Sequence, residues 1–270
     1  MKSLWLALVF LTIVPLPAWR TPVSERDLTR SAGAFVLVGG LQGLLLVATD
    51  LAAGWFFHPD LALWLVLLVA VLVSGGFHQD GLADTFDALA VKSSGDDDAD
   101  RERRLAAMKD SATGAIGMLA VFFLLLLKFQ ALKSLSHNSY AAYYSSLLLL
   151  PALGKWAMLS VMPAAVPSRP DGLGRLFLGK VGRRQLLWGG ATLLGLLLVP
   201  ALLLAAYLPP FSWAFYLALP GLLHLWGRWL MAMFHRRFGG LNGDSLGALN
   251  ELGELFFLLA VLIWLRLSIW

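Results

Sequence analysis

Three aspartates, Asp80, Asp84 and Asp87, stand in the stretch G-F-H-Q-D-G-L-A-D-T-F-D-A-L (Gly76–Leu89), directly after a long apolar run. On a helix, their i, i+4 and i+7 spacing places them within about 60° of one another. Three unpaired carboxylates on one stripe repel, and each is costly near a bilayer. A divalent cation removes both penalties. Mg²⁺ takes oxygen ligands, keeps several waters and often completes its shell with substrate phosphates. The stretch therefore predicts a Mg²⁺ and diphosphate site, with a solvated helix end as the simpler alternative. His78 either helps to position phosphate or is an interfacial structural histidine.

Three further clusters have the same character. In M-K-D-S-A-T-G-A-I-G (Met108–Gly117), Lys109 offers a phosphate contact and Asp110 a metal ligand. Ser111 either caps the following helix or joins its glycines in an anion site. Arg103 and Arg104, just upstream, serve phosphate or simply carry loop charge. In G-G-L-N-G-D-S-L-G-A-L-N-E-L-G-E-L (Gly239–Leu255), Asp244, Glu251 and Glu254 share a face at i, i+7 and i+10. The loop P-S-R-P-D-G-L-G-R (Pro167–Arg175) brings Arg169 and Arg175, either to a nucleotide or into an ordinary turn. By contrast, Asp96, Asp97, Asp98 and Asp100 follow K-S-S-G and read as a solvated, flexible loop.

The elements that must position these groups are transmembrane helices. Of 270 residues, 59% are hydrophobic and 14% charged, and mean hydropathy is +0.73. Soluble domains carry about 25% charged residues. With no cysteine, disulfides and thiolate metal sites are excluded. Segments 33–57, 61–79, 113–132, 141–165, 186–207, 211–234 and 255–270 predict seven spans in a single all-α domain covering 1–270. Residues 4–17 are too short to span and predict an interfacial or re-entrant helix. No small-x-small cleavage site follows them, so no cleavable leader is expected.

The net charge of +4 is concentrated on one side. Loops 18–32, 80–112, 166–185 and 235–254 hold fifteen Lys and Arg, whereas the alternate loops hold only Lys133. The long polar loops are therefore expected in the cytoplasm, with the C-terminus outside. This pattern favours a membrane surface over nucleic acid as the source of the basic balance. The acidic clusters share the cytoplasmic side, as expected of a site taking a cytoplasmic substrate. An ion-coupled transporter would string charges through the bilayer.

Taken together, H-Q-D-G-L-A-D-T-F-D, R-x-x-x-L-x-x-M-K-D-S-x-x-G-x-x-G and G-G-x-x-G-D-x-L-G-A-x-x-E-L-x-E resemble the cobalamin synthase family, the adenosylcobinamide-GDP ribazoletransferases. F-L-T-I-V-P-L-P and F-V-L-V-G (Phe35–Gly39) also look like that family's opening. The chain departs from the family pattern at Ile13, Val36, Ala88, Ala112, Lys155 and Asn242, none of which removes an acid. The resemblance implies a bacterial inner-membrane enzyme that uses Mg²⁺ to close the nucleotide loop of cobalamin. A hydroxyl of α-ribazole, or of its 5′-phosphate, would attack the phosphoryl group attached to cobinamide in adenosylcobinamide-GDP, and GMP would leave. Asp80, Asp84 and Asp110 would hold the metal, and Asp87 or Asp84 would take the hydroxyl proton. Lys109 and Arg103 would meet phosphate charge. Asp244, Glu251 and Glu254 would complete the metal site or hold the ribazole. Association with other late cobalamin-assembly enzymes and a homo-oligomeric state are left open. A CDP-alcohol-type phosphotransferase is the runner-up, since it too clusters aspartates on membrane helices, but its motif spacing differs. Prenyl transferases also pair acidic motifs with Mg²⁺ but lack the M-K-D-S and G-D-S-L-G-A signatures.

Overall fold

The computed structural model describes residues 1–17, 19, 21–110, 112–203, 207 and 212–268. Eleven α-helices succeed one another in these residues, and no strand forms among them. They are α1 (Lys2–Leu11), α2 (Glu25–Ser31), α3 (Phe35–Gly54), α4 (Pro59–Val73), α5 (Phe77–Ala90), α6 (Asp97–Ala107), α7 (Ala115–Asn138), α8 (Tyr140–Val161), α9 (Arg183–Leu203), α10 (Ser212–Phe238) and α11 (Gly243–Ser268).

Four helical segments of the described residues are long and apolar enough to cross a membrane: Glu25–Gly54, Ala115–Asn138, Tyr140–Ala164 and Gly243–Ser268. The pair α4 and α5 makes a fifth if its two halves count as one span. This is a multi-pass membrane protein, but the expected seven spans are not recovered as such. The fifth and sixth expected segments coincide with α9 and α10, and residues 208–210 between them lie outside the described residues. The short α1 matches the expected non-spanning N-terminal helix.

Helix α8 sits at the centre, buried along nearly its whole length, with α3, α10 and α11 packed around it. Lipid tails are as apolar as leucine, so such helices associate through close packing rather than water exclusion. The α3–α8 contact shows how. A Cβ on Gly43 would fall 2.0 Å from the Leu148 carbonyl oxygen. Any side chain there would force the two helices apart.

Two departures from the expected spans shape the site. Segment 61–79 is not one straight helix, because α4 and α5 meet at 85°. Gly75 and Gly76 both adopt left-handed backbone, with φ of 66° and 71°. Glycine enters that region without steric penalty, and two in succession turn the chain sharply. The aspartate stretch thus becomes a helix of its own, packed on α11 and α7. The second departure is at the C-terminus. Helix α11 begins at Gly243, twelve residues before the expected span 255–270. Asn242 caps it: the Ser245 N–H donates to Asn242 Oδ1 at 2.9 Å, and the Asn242 N–H donates to Ser245 Oγ at 2.8 Å. Asparagine is a strong helix cap, so this departure from the family pattern keeps the start of the helix intact.

Candidate active site

Helices α5 and α11 touch through glycine. A Cβ on Gly81 would fall 2.8 Å from the Asp244 carbonyl oxygen, and one on Gly247 would fall 3.2 Å from the His78 carbonyl oxygen from the other side. This contact sets Asp80 and Asp84, which flank Gly81 on α5, beside Asp244 in the first turn of α11. Asp80 is exposed, and Asp84 and Asp244 are half-buried. Asp80, Asp244 and Asp87 surround Asp84 with negative charge, and Arg169 is its cationic neighbour. Arg169 itself forms an ion pair with Asp244. Neither Asp80 nor Asp84 makes a side-chain hydrogen bond or ion pair among the described residues.

Arg169 is held there by the backbone. The Ser168 N–H donates to the Leu241 carbonyl at 2.7 Å, and the Leu241 N–H donates to the Val166 carbonyl at 2.8 Å. The Pro167–Arg175 loop is therefore tied to the α10–α11 turn. Its outer part meets the M-K-D-S turn through an exposed 2.8 Å ion pair between Lys109 and Asp171.

Asp87 faces elsewhere. Its Oδ2 accepts the Gly114 N–H at 2.7 Å and its Oδ1 accepts the Gly117 N–H at 2.8 Å. Both oxygens thus cap the start of α7, where free N–H groups and the helix dipole favour an anion. A Cβ on either glycine would fall 2.4 Å from an Asp87 carboxylate oxygen. The sequence motif does build an anion site here, and the anion in it is the chain's own Asp87. Asp110 accepts the Ala112 N–H at 3.0 Å. Ser111 lies outside the described residues.

The third expected cluster divides. Asp244 joins the site, but Glu251 and Glu254, two and three turns along α11, are buried in the bundle. Lys128 of α7 donates to both at 2.6 Å. Asn250 Nδ2 donates to Glu251 at 3.1 Å and to Glu254 at 3.2 Å, and its Oδ1 accepts from Lys155 at 2.9 Å. Two buried carboxylates and two buried lysines thus balance inside the membrane domain, which corrects the expectation that these acids sit on a loop before the last span. The reason is the early start of α11, which carries them into the span.

Arg103 and the acidic run also differ from the sequence expectation. Asp96 caps α6 by accepting the Asp98 and Ala99 N–H groups at 3.0 and 3.1 Å. Asp100 is buried and accepts from the Ser93 and Ser94 hydroxyls, the Ser94 N–H and Arg103. These partners hold its carboxyl well below the usual carboxylate range. The run is therefore an ordered helix start, and Arg103 is engaged in it rather than directed at the aspartates of α5.

His78 is buried, and among the described residues neither of its ring nitrogens has a hydrogen-bond partner. It stands between two cavities. A small one, about 20 Å³, is lined by Gln79, Lys128, Lys155, Asn250, Glu251 and Glu254, enough for about one water. A larger one, about 150 Å³, lies beneath the Pro167–Arg175 loop and reaches Arg169 and Asp244.

The sequence profile of a family described as Cobalamin-5-phosphate synthase matches residues 3–262. The chain belongs to that family. A relative from Geotalea daltonii (strain DSM 22248 / JCM 15807 / FRC-32), named adenosylcobinamide-GDP ribazoletransferase, is 33% identical over 266 residues, covering 97% of each chain. Relatives with the same name from Thermodesulfovibrio yellowstonii (strain ATCC 51303 / DSM 11347 / YP87) and Citrobacter koseri (strain ATCC BAA-895 / CDC 4225-83 / SGSC4696) are 31% and 34% identical, covering 96% and 97% of this chain and 95% and 99% of their own. No solved structure matches.

In this member of the cobalamin-5-phosphate synthase family, sequence reasoning missed the partners of the buried acids. Lys128 and Lys155 stand inside apolar segments, where a charged side chain normally faces a partner within the bundle. That was the available signal. It called for acids at the same depth, and the misplaced start of α11 hid them.

Proposed function

We propose that this chain joins α-ribazole, or its 5′-phosphate, to adenosylcobinamide-GDP with release of GMP, and that the reaction takes place where α5 crosses α11. The observation that carries this is the pair Asp80 and Asp84, two carboxylates without hydrogen bond or ion pair among the described residues, set against Asp244 by the Gly81 contact. The relatives' shared name supplies the substrates.

In the reaction, a ribose hydroxyl oxygen bonds to the phosphorus attached to cobinamide. The bond between that phosphorus and the bridging oxygen of the diphosphate breaks, and GMP leaves with that oxygen and its electron pair. Phosphoryl transfer demands positioning and charge neutralisation more than covalent help. Asp84, half-buried among like charges, orients the hydroxyl and accepts its proton. Arg169, already paired with an acid at the site, exchanges part of that contact for a phosphate oxygen, and a guanidinium suits phosphate geometry well. Lys109 adds charge from the rim. Asp87 stays with α7 and keeps α5 in register.

The donor set is all oxygen and acidic, which suits Mg²⁺. Among the described residues, no three His, Asp or Glu side chains form a ready-made ligand group. Mg²⁺ commonly keeps waters and is held by one or two protein carboxylates plus substrate phosphates. Asp80 and Asp84 are the residues that would hold it, with Asp110 of the M-K-D-S turn as a third candidate ligand. When bound, Mg²⁺ neutralises charge on the diphosphate. The one-sided Lys and Arg distribution supports a site facing the cytoplasm from the bacterial inner membrane.

The test is purified protein in detergent with adenosylcobinamide-GDP, α-ribazole and Mg²⁺, with GMP and cobalamin followed by chromatography. Wild type is expected to make both in equal amounts. Well-folded wild type that makes neither would overturn the assignment.

A further inference from the structure

We propose that the cleft between the start of α3 and the start of α9 is a binding site for an anionic phospholipid, with the lipid phosphate held by Arg30 and Arg184. The cleft has a volume of about 680 Å³ and is lined also by the beginning of α1. It joins the two arginines to an apolar wall of Leu4, Leu37 and Trp188, and none of its lining residues is acidic. A Cβ on Gly33 would lie 3.4 Å from Gln185 Cα and 3.5 Å from Trp188 Cβ, so the two helix starts are in van der Waals contact within the cleft. The cleft shares no lining residue with the cavity that reaches Arg169 and Asp244. It is therefore a second site, independent of the transferase assignment.

Charge accounting identifies the headgroup. The nearby acids are already engaged: Glu25 pairs with Arg175 at 3.1 Å and Lys180 at 3.7 Å, and Asp27 pairs with Lys2 at 2.8 Å. Arg30 and Arg184 are exposed and have no hydrogen bond or ion pair among the described residues. Arg184 also stands in the first turn of α9, where Arg183 precedes it and no acid is present. Cations there oppose the helix dipole, and a bound anion answers both. A guanidinium meets phosphate oxygens in a two-pronged contact. The apolar wall identifies the rest of the ligand. Helix α3 belongs to a segment long and apolar enough to cross a membrane, and Leu186, Leu187 and Trp188 follow Arg184 on α9. Arginine at a helix end with tryptophan and leucine one turn deeper is the pattern of a membrane boundary, where basic pockets between helices take lipid headgroups. A soluble phosphate would use the arginines and leave Leu37 and Trp188 uncovered, whereas acyl chains lie along them. A zwitterionic headgroup would bring its own cation toward the arginines, so an anionic lipid is preferred.

The test uses the full-length protein, stripped of lipid in detergent. Phosphatidylglycerol and phosphatidylcholine with identical acyl chains are titrated in, and bound lipid is counted by native mass spectrometry. Wild type is compared with Arg30→Gln/Arg184→Gln and with Arg236→Gln/Arg237→Gln, which removes the same charge from the exposed end of α10. Wild type is expected to bind one phosphatidylglycerol about thirtyfold more tightly than phosphatidylcholine, the worth of two arginines at a membrane surface. The Arg30/Arg184 double variant is expected to lose that preference, and the Arg236/Arg237 variant to keep it. The single variants Arg30→Gln and Arg184→Gln, each expected to lose about fivefold, supply the same comparison if the double variant does not fold. Phosphatidylglycerol should also raise the melting temperature of wild type and not that of the Arg30/Arg184 variant. Equal losses in the two double variants would mean diffuse attraction to a basic face and overturn the proposal. Displacement of the lipid by an equal concentration of glycerol 3-phosphate would give the arginines to a soluble phosphate and overturn it as well. No preference for phosphatidylglycerol in wild type would end it outright.

Discussion

Two acidic groups in this protein look alike in the sequence and live in opposite surroundings. Asp80 and Asp84 lie on α5 just beyond its bend from α4, Asp80 exposed and Asp84 half-buried, with no cation bonded to either among the described residues. Glu251 and Glu254 lie inside the bundle, shared by Lys128 at 2.6 Å each. Both pairs are spaced for one helix face. The difference is in what was brought to meet them. A buried carboxylate without a partner is strongly disfavoured, so the interior pair had to be answered by lysine and asparagine. The outer pair is partly hydrated and can wait for a ligand. The unanswered acids are the ones the proposed reaction uses, whereas the acids answered in the interior join α7, α8 and α11.

Removing one carboxylate from the outer pair provides the sharpest test of this contrast. Asp84→Asn is expected to lower turnover by about 10³-fold, or about 4 kcal/mol of transition-state stabilisation, with an unchanged melting temperature in detergent. Retained activity in a folded Asp84→Asn protein would move the site toward Asp110 or Asp244. The inner pair should behave in the reverse way. Lys128→Met leaves two buried carboxylates without their cation and is expected to cost about 3–5 kcal/mol of stability, read as lost yield of folded protein and a lower melting temperature. A Lys128→Met protein that melted normally yet failed to turn over would place the inner cluster in the chemistry and erase the contrast.

Asp87 stands between the two cases, an acid of the outer stripe with backbone partners. Asp87→Ala is expected to cost about 1–2 kcal/mol, the worth of a helix cap, with Gly114→Ala doing comparable damage because its Cβ would press on the same carboxylate. If Asp87→Asn, which keeps one acceptor, abolished turnover without altering melting, Asp87 and not Asp84 would be the proton acceptor. The smallest effect concerns pH. Asp100 has a lowered folded-state pKa, owing first to the Ser93 hydroxyl, then to Ser94 and Arg103. A lowered carboxylate pKa contributes stability above the unfolded value of about 4, and that contribution disappears as pH falls through the folded value. Asp100→Asn should therefore flatten the decline of melting temperature between about pH 4 and 2 while leaving turnover at neutral pH unchanged. An identical acid profile in the variant would show that Asp100 does not set it.

Much of the site was legible as a set of residues but not as an arrangement. Asp80 and Asp84 were readable because helical spacing and an apolar run preceding them are local signals. Asp244 was legible from its motif. Its pairing with Arg169 was not, since 75 residues separate them and only the backbone ties between Val166, Ser168 and Leu241 bring them together. The acidic run at Asp96–Asp100 was misread because its order depends on Ser93, Ser94 and Arg103 closing around Asp100. Nothing in the local pattern separates that from a hydrated loop.

What the sequence determined by itself was the solvent and the family. A composition this apolar belongs in a bilayer, where only helices and closed barrels satisfy the backbone, and apolar runs of about 20 residues select helices. Three ordered motifs along the chain were enough for the family, confirmed over residues 3–262. The tertiary structure alone decided which acids are free. Two left-handed glycines turned α5 across the bundle, Gly81 let α11 approach, and the early start of α11 carried Glu251 and Glu254 inward to Lys128. Carboxylate chemistry depends on what lies within a few ångströms, and in this chain nearly all those neighbours come from distant helices.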